Sequence, residues 1–317
     1  MIYPISTPKP NSAEDLVGYI DTAGCVVIPP SYEAGSYFFE GKASVLDAEK
    51  RAGFIDQLGN AVIQFRFHGL GRFKDGLCSL NGGYIDHSGS WFIAPRFLVA
   101  GDFSEGRAFT SVDGETFGFV GFSGEFVIRP EFESCLPFSS GLAAVRRDGR
   151  WGYIDHEGKI RIPLLFEGRQ ARAFRDGVAG VQVDGRWGFI DERGKFALEP
   201  VYDKVKSFSE GYAPVARDRR WGLVTIEGTL AVDYQFDELG ALDGGMAPAT
   251  VAGKSGFILA DGSWAIQPEF DKCYRFFGQL AVARRGESYC YLRRDGTVVW
   301  TSEPGATVQA PPFPFVT

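Results

Sequence analysis

Apolar residues in this chain come in short runs of about four to seven, broken by clusters of Gly, Asp, Asn and Pro. No window of 12 residues carries a helical period, so the runs read as strands joined by turns. Residues 142–163 serve as the pattern. Residues 142–147 predict one strand, Asp148-Gly149-Arg150 a turn and 151–155 a second strand. Asp155-His156-Glu157-Gly158 predicts another turn, followed by a third strand over 159–163. In such a turn an Asp carboxylate accepts backbone N–H groups while Gly takes the left-handed conformation. The unit is a three-stranded antiparallel meander. A connector of about ten residues leads on to the next unit and has room for a fourth short strand.

The unit recurs. Gly-aromatic-Ile-Asp begins at Gly18, Gly53, Gly83, Gly152 and Gly188, with degenerate copies from Gly118, Gly222, Gly256 and Cys290. Six residues after each start stands another glycine, from Gly24 to Gly296, which fixes nine copies of roughly 34 residues. A connector motif Phe-x-x-Gly (Phe138 to Gly141, Phe174 to Gly177, Phe208 to Gly211) precedes a strand with alanine at its second position, as in Leu142-Ala143-Ala144-Val145. The first copy lacks this alanine strand.

Trp151-Gly152, Trp187-Gly188 and Trp221-Gly222, each preceded by Arg, make the chain resemble the bacterial WG-repeat family over about residues 16–300. Elsewhere the Trp position holds Val17, Ala52, Gly82, Phe117, Ser255 or Tyr289. The resemblance implies a repeat scaffold rather than one activity. A single meander is too small to bury its apolar face, so neighbours must stack. The expected fold is all-β, nine β-meander repeats in a propeller-like or superhelical array, with an open β-solenoid as the alternative. Residues 1–15 form an N-terminal segment, 16–300 the array and 301–317 a Pro-rich tail that reads as an extended arm.

Composition narrows the function. Phe supplies 28 residues and Gly 41, ample for a core and many turns. The net charge of −7 disfavours a phosphate backbone as partner. Five cysteines without a C-x-x-C pair read as reduced thiols. No stretch has the length and polarity of a membrane span or a signal peptide, so the expected location is cytoplasmic.

Catalytic chemistry is sought and not found. His87 and His156 share one turn position, and His68 has no Cys or Asp at metal-ligand spacing. The Asp series offers one carboxylate per turn, too few for calcium. Gly253-Lys254-Ser255 has Pro248 where a phosphate-binding loop needs glycine. No cofactor or metal is expected. Acidic residues of the Phe-x-x-Gly connectors, such as Asp75, Glu105, Asp176 and Glu210, read as a solvated rim.

One surface feature stands out. Arg146, Arg147 and Arg150, then Arg186, then Arg217, Arg219 and Arg220 fall at or beside the same hairpin in successive repeats, next to Trp151, Trp187 and Trp221. Arg and Trp are enriched at binding hot spots. The bland alternative is that the arginines solubilise turns and pack over Trp. The expectation is a non-enzymatic protein-binding scaffold whose partner is another protein, neither nucleic acid nor membrane. Its specific form is an immunity protein that covers a basic toxin or effector, or an adaptor in a conflict or stress system. Carbohydrate or small-ligand binding, with Trp91, Trp264 and Trp300 as the aromatics, is the alternative.

Overall fold

The periodic pattern becomes strands repeat by repeat. In the fifth repeat they are Ser134–Cys135, Ala143–Arg147, Arg150–Ile154 and Ile160–Phe166, paired antiparallel in chain order. Asp148 and Gly149 both have positive φ (52° and 73°), the two-residue hairpin geometry that follows the strand twist. Asp155 Oδ1 accepts N–H bonds from Glu157 (3.1 Å) and Lys159 (2.9 Å), and Asp21, Asp56, Asp86 and Asp191 cap their turns in the same way.

The third strand differs from its predicted end. It runs past Pro163 to Phe166, because an outer strand with a bulge tolerates a residue without an N–H. Trp151 lies opposite Phe166 and Tyr153 opposite Ile162, so four residues on one strand span two on the other. The bulge lays backbone over the intervening glycine. A Cβ at Gly152 would stand 2.6 Å from the Ile162 carbonyl oxygen, and the same holds at Gly188 (2.7 Å from Leu198 O) and Gly222 (2.4 Å from Val232 O). The ninth repeat carries Cys290 here. Its strand Val298–Thr301 pairs Cys290 with Thr301 and Tyr291 with Trp300, without that bulge, so a side chain fits.

A computed structural model describes residues 1–9 and 14–306. Among them there is no helix. Nine small sheets span 3–32, 34–67, 73–93, 99–132, 134–166, 178–202, 204–236, 238–270 and 272–301. The fold is all-β and of the β-propeller type, one blade per repeat. Most of the tail read as an extended arm, from 307 onward, lies outside the described residues. The blades fall into two compact units. Of the described residues, one comprises Met1–Arg96 with Phe270–Ala306, the other Phe97–Glu269.

Within each unit, neighbouring sheets share a core through one repeated joint. The aromatic of Gly-aromatic-Ile-Asp receives the Phe of the next Phe-x-x-Gly edge-on. Ring centroids lie 4.9 Å apart for Phe119–Phe138 and Tyr153–Phe174, 4.8 Å for Phe189–Phe208 and 5.1 Å for Phe54–Phe73. Such pairs add about 0.5–1.5 kcal/mol beyond their burial. The turn glycine of one sheet sits on the third strand of the sheet before it, Gly158 on Ile128 and Gly194 on Ile162.

Three of the connector carboxylates, solvent-exposed as read, also form a third element of the joint. Glu105 accepts the Gly141 N–H (3.0 Å), Asp176 the Gly211 N–H (3.0 Å), and Glu210 the N–H groups of Gly244 (2.5 Å) and Gly245 (2.9 Å). Each bonds the tight turn of the following repeat. His156 stacks on Phe138 (4.4 Å) with its Nε2 3.2 Å from Glu105, and His87 repeats this with Phe73 and Glu40. These histidines therefore belong to the joint as well as to the turn.

In the first unit the opening and final sheets meet. Tyr3–Pro8, inside the segment read as preceding the array, pairs with Asp15–Ile20 and takes the place of the missing alanine strand. Tyr3, Ile5, Ile20 and Tyr37 pack with Leu280, Val282 and Tyr291 in one buried cluster. Tyr291 donates its hydroxyl proton to the Pro4 carbonyl (2.6 Å), and Tyr3 accepts the Gln279 N–H (2.9 Å). A Cβ on Gly24 would stand 2.0 Å from the Val299 carbonyl oxygen, the same glycine-on-third-strand joint that links sequence neighbours. An open solenoid would leave both end faces bare. Here each covers the other.

Candidate functional site

The hairpin between the alanine strand and the Gly-aromatic strand projects beyond each core, and the predicted arginines lie there. In the fifth, sixth and seventh sheets the residue before each Trp is paired with a carboxylate 17 positions later, where the chain crosses to the next sheet. Arg150 lies 3.7 Å from Glu167, Arg186 bonds Asp203, and Arg220 lies 2.5 Å from Asp237. Arg146 and Arg147 pair with Glu133 (3.5 Å) and Glu131 (3.3 Å). All these pairs are solvent-exposed, so each is worth at most about 1 kcal/mol. The rim is thus mixed in sign, not the basic edge that the Arg positions alone suggest. The carboxylate at a constant 17-residue offset was the signal in the sequence, and a reading of the hairpins alone misses it.

Arg217 and Arg219 are different. Neither has a carboxylate partner among the described residues. The Arg217 guanidinium lies over two rings, 5.4 Å from Tyr202 and 5.8 Å from Tyr234, and is solvent-exposed. Burial pushes both phenols above their ordinary pKa, with Arg217 opposing the shift, so both rings stay neutral. Arg219 follows Asp218 in the hairpin turn with φ of 64°. The same turn position is Gly149 in the fifth sheet and Gly185 in the sixth, residues that adopt positive φ without steric cost.

The three tryptophans are the floor of the rim. Trp151 is buried and belongs to the core shared by the fifth and sixth sheets. Trp187 and Trp221 are half-buried, each beneath a cation from the connector, Arg172 at 5.4 Å and Lys206 at 5.1 Å. Hairpin arginines are therefore not what covers these indoles. Arg172 and Lys206 are the neighbours that the sequence reading did not name. Trp264 packs edge-on against Phe236 (5.7 Å) and Trp91 against Phe67 (5.6 Å), while Trp300 lies tilted against Tyr291. Among the described residues no group of three His, Cys, Asp or Glu side chains is placed to hold a metal ion.

Between the sixth and seventh sheets the rim opens into a shallow cleft of about 450 Å³ lined by Arg186, Pro200, Val201, Asp203, Arg217 and Asp218. Asp203 is fully engaged, since it bonds Arg186 through one oxygen and accepts the Asp218 N–H (2.8 Å) through the other. The cleft therefore has an Arg186–Asp203 pair in its floor, an apolar patch at Pro200 and Val201, and Arg217 and Asp218 at its lip with no ion pair between them.

The pattern of the WG containing repeat family matches residues 18–50, 53–79, 83–115, 117–151, 151–187, 187–219, 221–254 and 256–289. The chain belongs to this family. WG repeats thus account for all but the ends of the described chain, and the rim lies wholly within them. A comparison with curated protein sequences gives no match. Among solved structures, a eukaryotic initiation factor is similar over 99% of this chain and 100% of its own, at 11% identity and a TM-score of 0.65. The computationally designed Ika8 protein is similar over 84% of this chain and 95% of its own (15% identity, TM-score 0.51). BamB from Moraxella catarrhalis is similar over 95% and 99% (10% identity, TM-score 0.50). At these identities the likeness concerns the fold of the WG-repeat chain and nothing further.

Proposed function

We propose that this WG-repeat chain is a non-enzymatic protein-binding scaffold that engages its partner through the hairpin rim. The observation that carries this reading is a division of labour along the repeat. Core positions recur from sheet to sheet because each is locked by a neighbour, whereas the hairpin tips have room. A Cβ added at Gly185 or Gly253 meets nothing within 4 Å, so the tips can change without disturbing the array. A rigid array with a variable edge suits recognition of another folded protein.

The specific form we favour is an immunity protein or an adaptor in a bacterial conflict or stress system, acting in the cytoplasm. The net charge of −7 supports attraction to a basic toxin or effector at a distance. The test is affinity purification of the tagged chain from its native cell with cross-linking, followed by mapping of the cross-links. The expected result is one enriched protein with cross-links clustered at 146–150, 184–187 and 217–220. Recovery of no protein, or cross-links scattered evenly over both edges, would count against the scaffold. An acidic partner without growth-inhibiting activity would remove the immunity form and leave the scaffold standing.

A further inference from the structure

The cations of the rim are almost all spoken for, and the exceptions fall together. Arg146, Arg147, Arg150, Arg186 and Arg220 each face a carboxylate, while Arg217 and Arg219 stand in one hairpin, with Arg217 in the lining of the 450 Å³ cleft and Arg219 two residues on. A chain with 40 Asp and Glu against 33 Lys and Arg has acids to spare, yet leaves these two without one. Their geometry is also costly to keep. Arg219 holds a left-handed backbone conformation where the two preceding repeats use glycine, and an unfavourable conformation that persists points to a use for the side chain. Arg217 lies over the rings of Tyr202 and Tyr234 and is solvent-exposed, with no carboxylate partner among the described residues. Beside it, Val201 is 41% exposed although it lies on a strand whose next residue, Tyr202, is buried.

We propose that this cleft binds an acidic peptide segment of a partner protein. A carboxylate would accept hydrogen bonds from the Arg217 guanidinium, Arg219 would add a second positive charge, and a flanking aliphatic side chain would rest on Pro200 and Val201. Arginine is suited to this because its planar fork meets a carboxylate with two parallel N–H bonds. The Asp203 and Asp218 carboxylates do not oppose it in equal measure. Asp203 is already bonded to Arg186 and to the Asp218 N–H, so its charge is largely compensated. The inference rests on the scaffold reading alone, not on its basic-toxin form, and adds the chemistry of the segment recognised.

The test uses the full chain on an array of immobilised decapeptides. Each carries a central Leu flanked by Asp and Glu, by Asn and Gln, or by Lys, in all placements. Retention at least about tenfold stronger on the acidic peptides than on the other two sets is expected. Arg217→Ala should lower that retention about tenfold, Arg217→Lys should restore part of it, and Arg193→Ala, which removes an exposed cation in the Asp191 turn outside the hairpin rim, should leave it unchanged. Arg219→Gly should weaken retention while raising the Tm by a few degrees, since glycine relieves the left-handed turn. Retention independent of acidic content, no retention on any peptide, or binding untouched by Arg217→Ala in a normally folded chain would each overturn the proposal. A native partner recovered equally by the wild-type and Arg217→Ala chains would uphold the scaffold and reject the cleft. Acidic-peptide binding without any native protein partner would do the reverse.

Discussion

Gly188→Ala is expected to destabilise the chain by about 3 kcal/mol, or to prevent soluble expression, although alanine adds one methyl group. A Cβ at this position would stand 2.7 Å from the Leu198 carbonyl oxygen and 2.8 Å from the Pro200 nitrogen. Both are backbone atoms of the bulged third strand, so no side chain can turn aside. The strand would have to lift, which pulls Leu198 and Tyr202 out of the core they share with Val205, Phe208 and Val215. For a chain of this size the shift corresponds to roughly 4–5 °C in Tm. Gly185→Ala, three residues earlier, is the informative control. There φ is 75° but no atom lies within 4 Å, so only the backbone penalty of about 1 kcal/mol applies. Thermal unfolding of the two variants side by side separates crowding from conformation. Equal losses would show that the bulge does not press on Gly188.

The second large effect concerns the joint between the opening and final sheets. Tyr3→Ala removes a fully buried ring 5.7 Å from Tyr291 and strips the Gln279 N–H of its acceptor. Large-to-small changes of this kind cost about 3–5 kcal/mol, and the lost hydrogen bond adds a smaller amount. The loss should be felt more than 270 residues away in sequence, because Leu280, Val282 and Tyr291 lie in the same cluster. Hydrogen exchange read by mass spectrometry should quicken about 100-fold over 280–292, the factor that about 3 kcal/mol implies. An effect confined to residues 1–20 would mean that the final sheet does not depend on the first.

How much of this was legible depends on the distance over which each residue acts. The strands and turns were readable because Gly-aromatic-Ile-Asp and the glycine six positions on are local signals, each sufficient for its own hairpin. The reason for the Gly in Trp-Gly was not readable. It depends on a bulge formed by residues about ten positions downstream, and Cys290 shows the point by standing where that bulge is missing. Glu105, Asp176 and Glu210 are surface acids as read, but their role in the joint was not legible, because their partners, the turn N–H groups of the next repeat, lie about 35 residues away and carry no side-chain signature. The strand Tyr3–Pro8 has no repeat motif at all. Only the gap it fills marks its place.

The candidate rim was legible in position and misread in charge. Repetition placed Arg146, Arg150, Arg186 and Arg220 on one edge, as the hairpins confirm. The carboxylates that return to these arginines, Glu133, Glu167, Asp203 and Asp237, lie in the crossing segments, and only the constant 17-residue offset of the last three marks them in the sequence. Trp187 and Trp221 were assigned to the surface with their arginines, yet their period-two register places them opposite Tyr202 and Phe236, the buried residues that end the outer strands.

The most direct measurement concerns whether one repeat can hold its fold without neighbours. A peptide of residues 134–166 contains a complete four-stranded sheet, and with it half of each joint that the intact chain makes. Ring partners such as Phe174 for Tyr153, and Ile128 beneath Gly158, are left behind. Far-ultraviolet circular dichroism and amide proton dispersion of this peptide should show an unfolded chain with no cooperative melting transition. A peptide that folded alone, with dispersed amide resonances and a sharp transition, would contradict the shared-core account from its base upward.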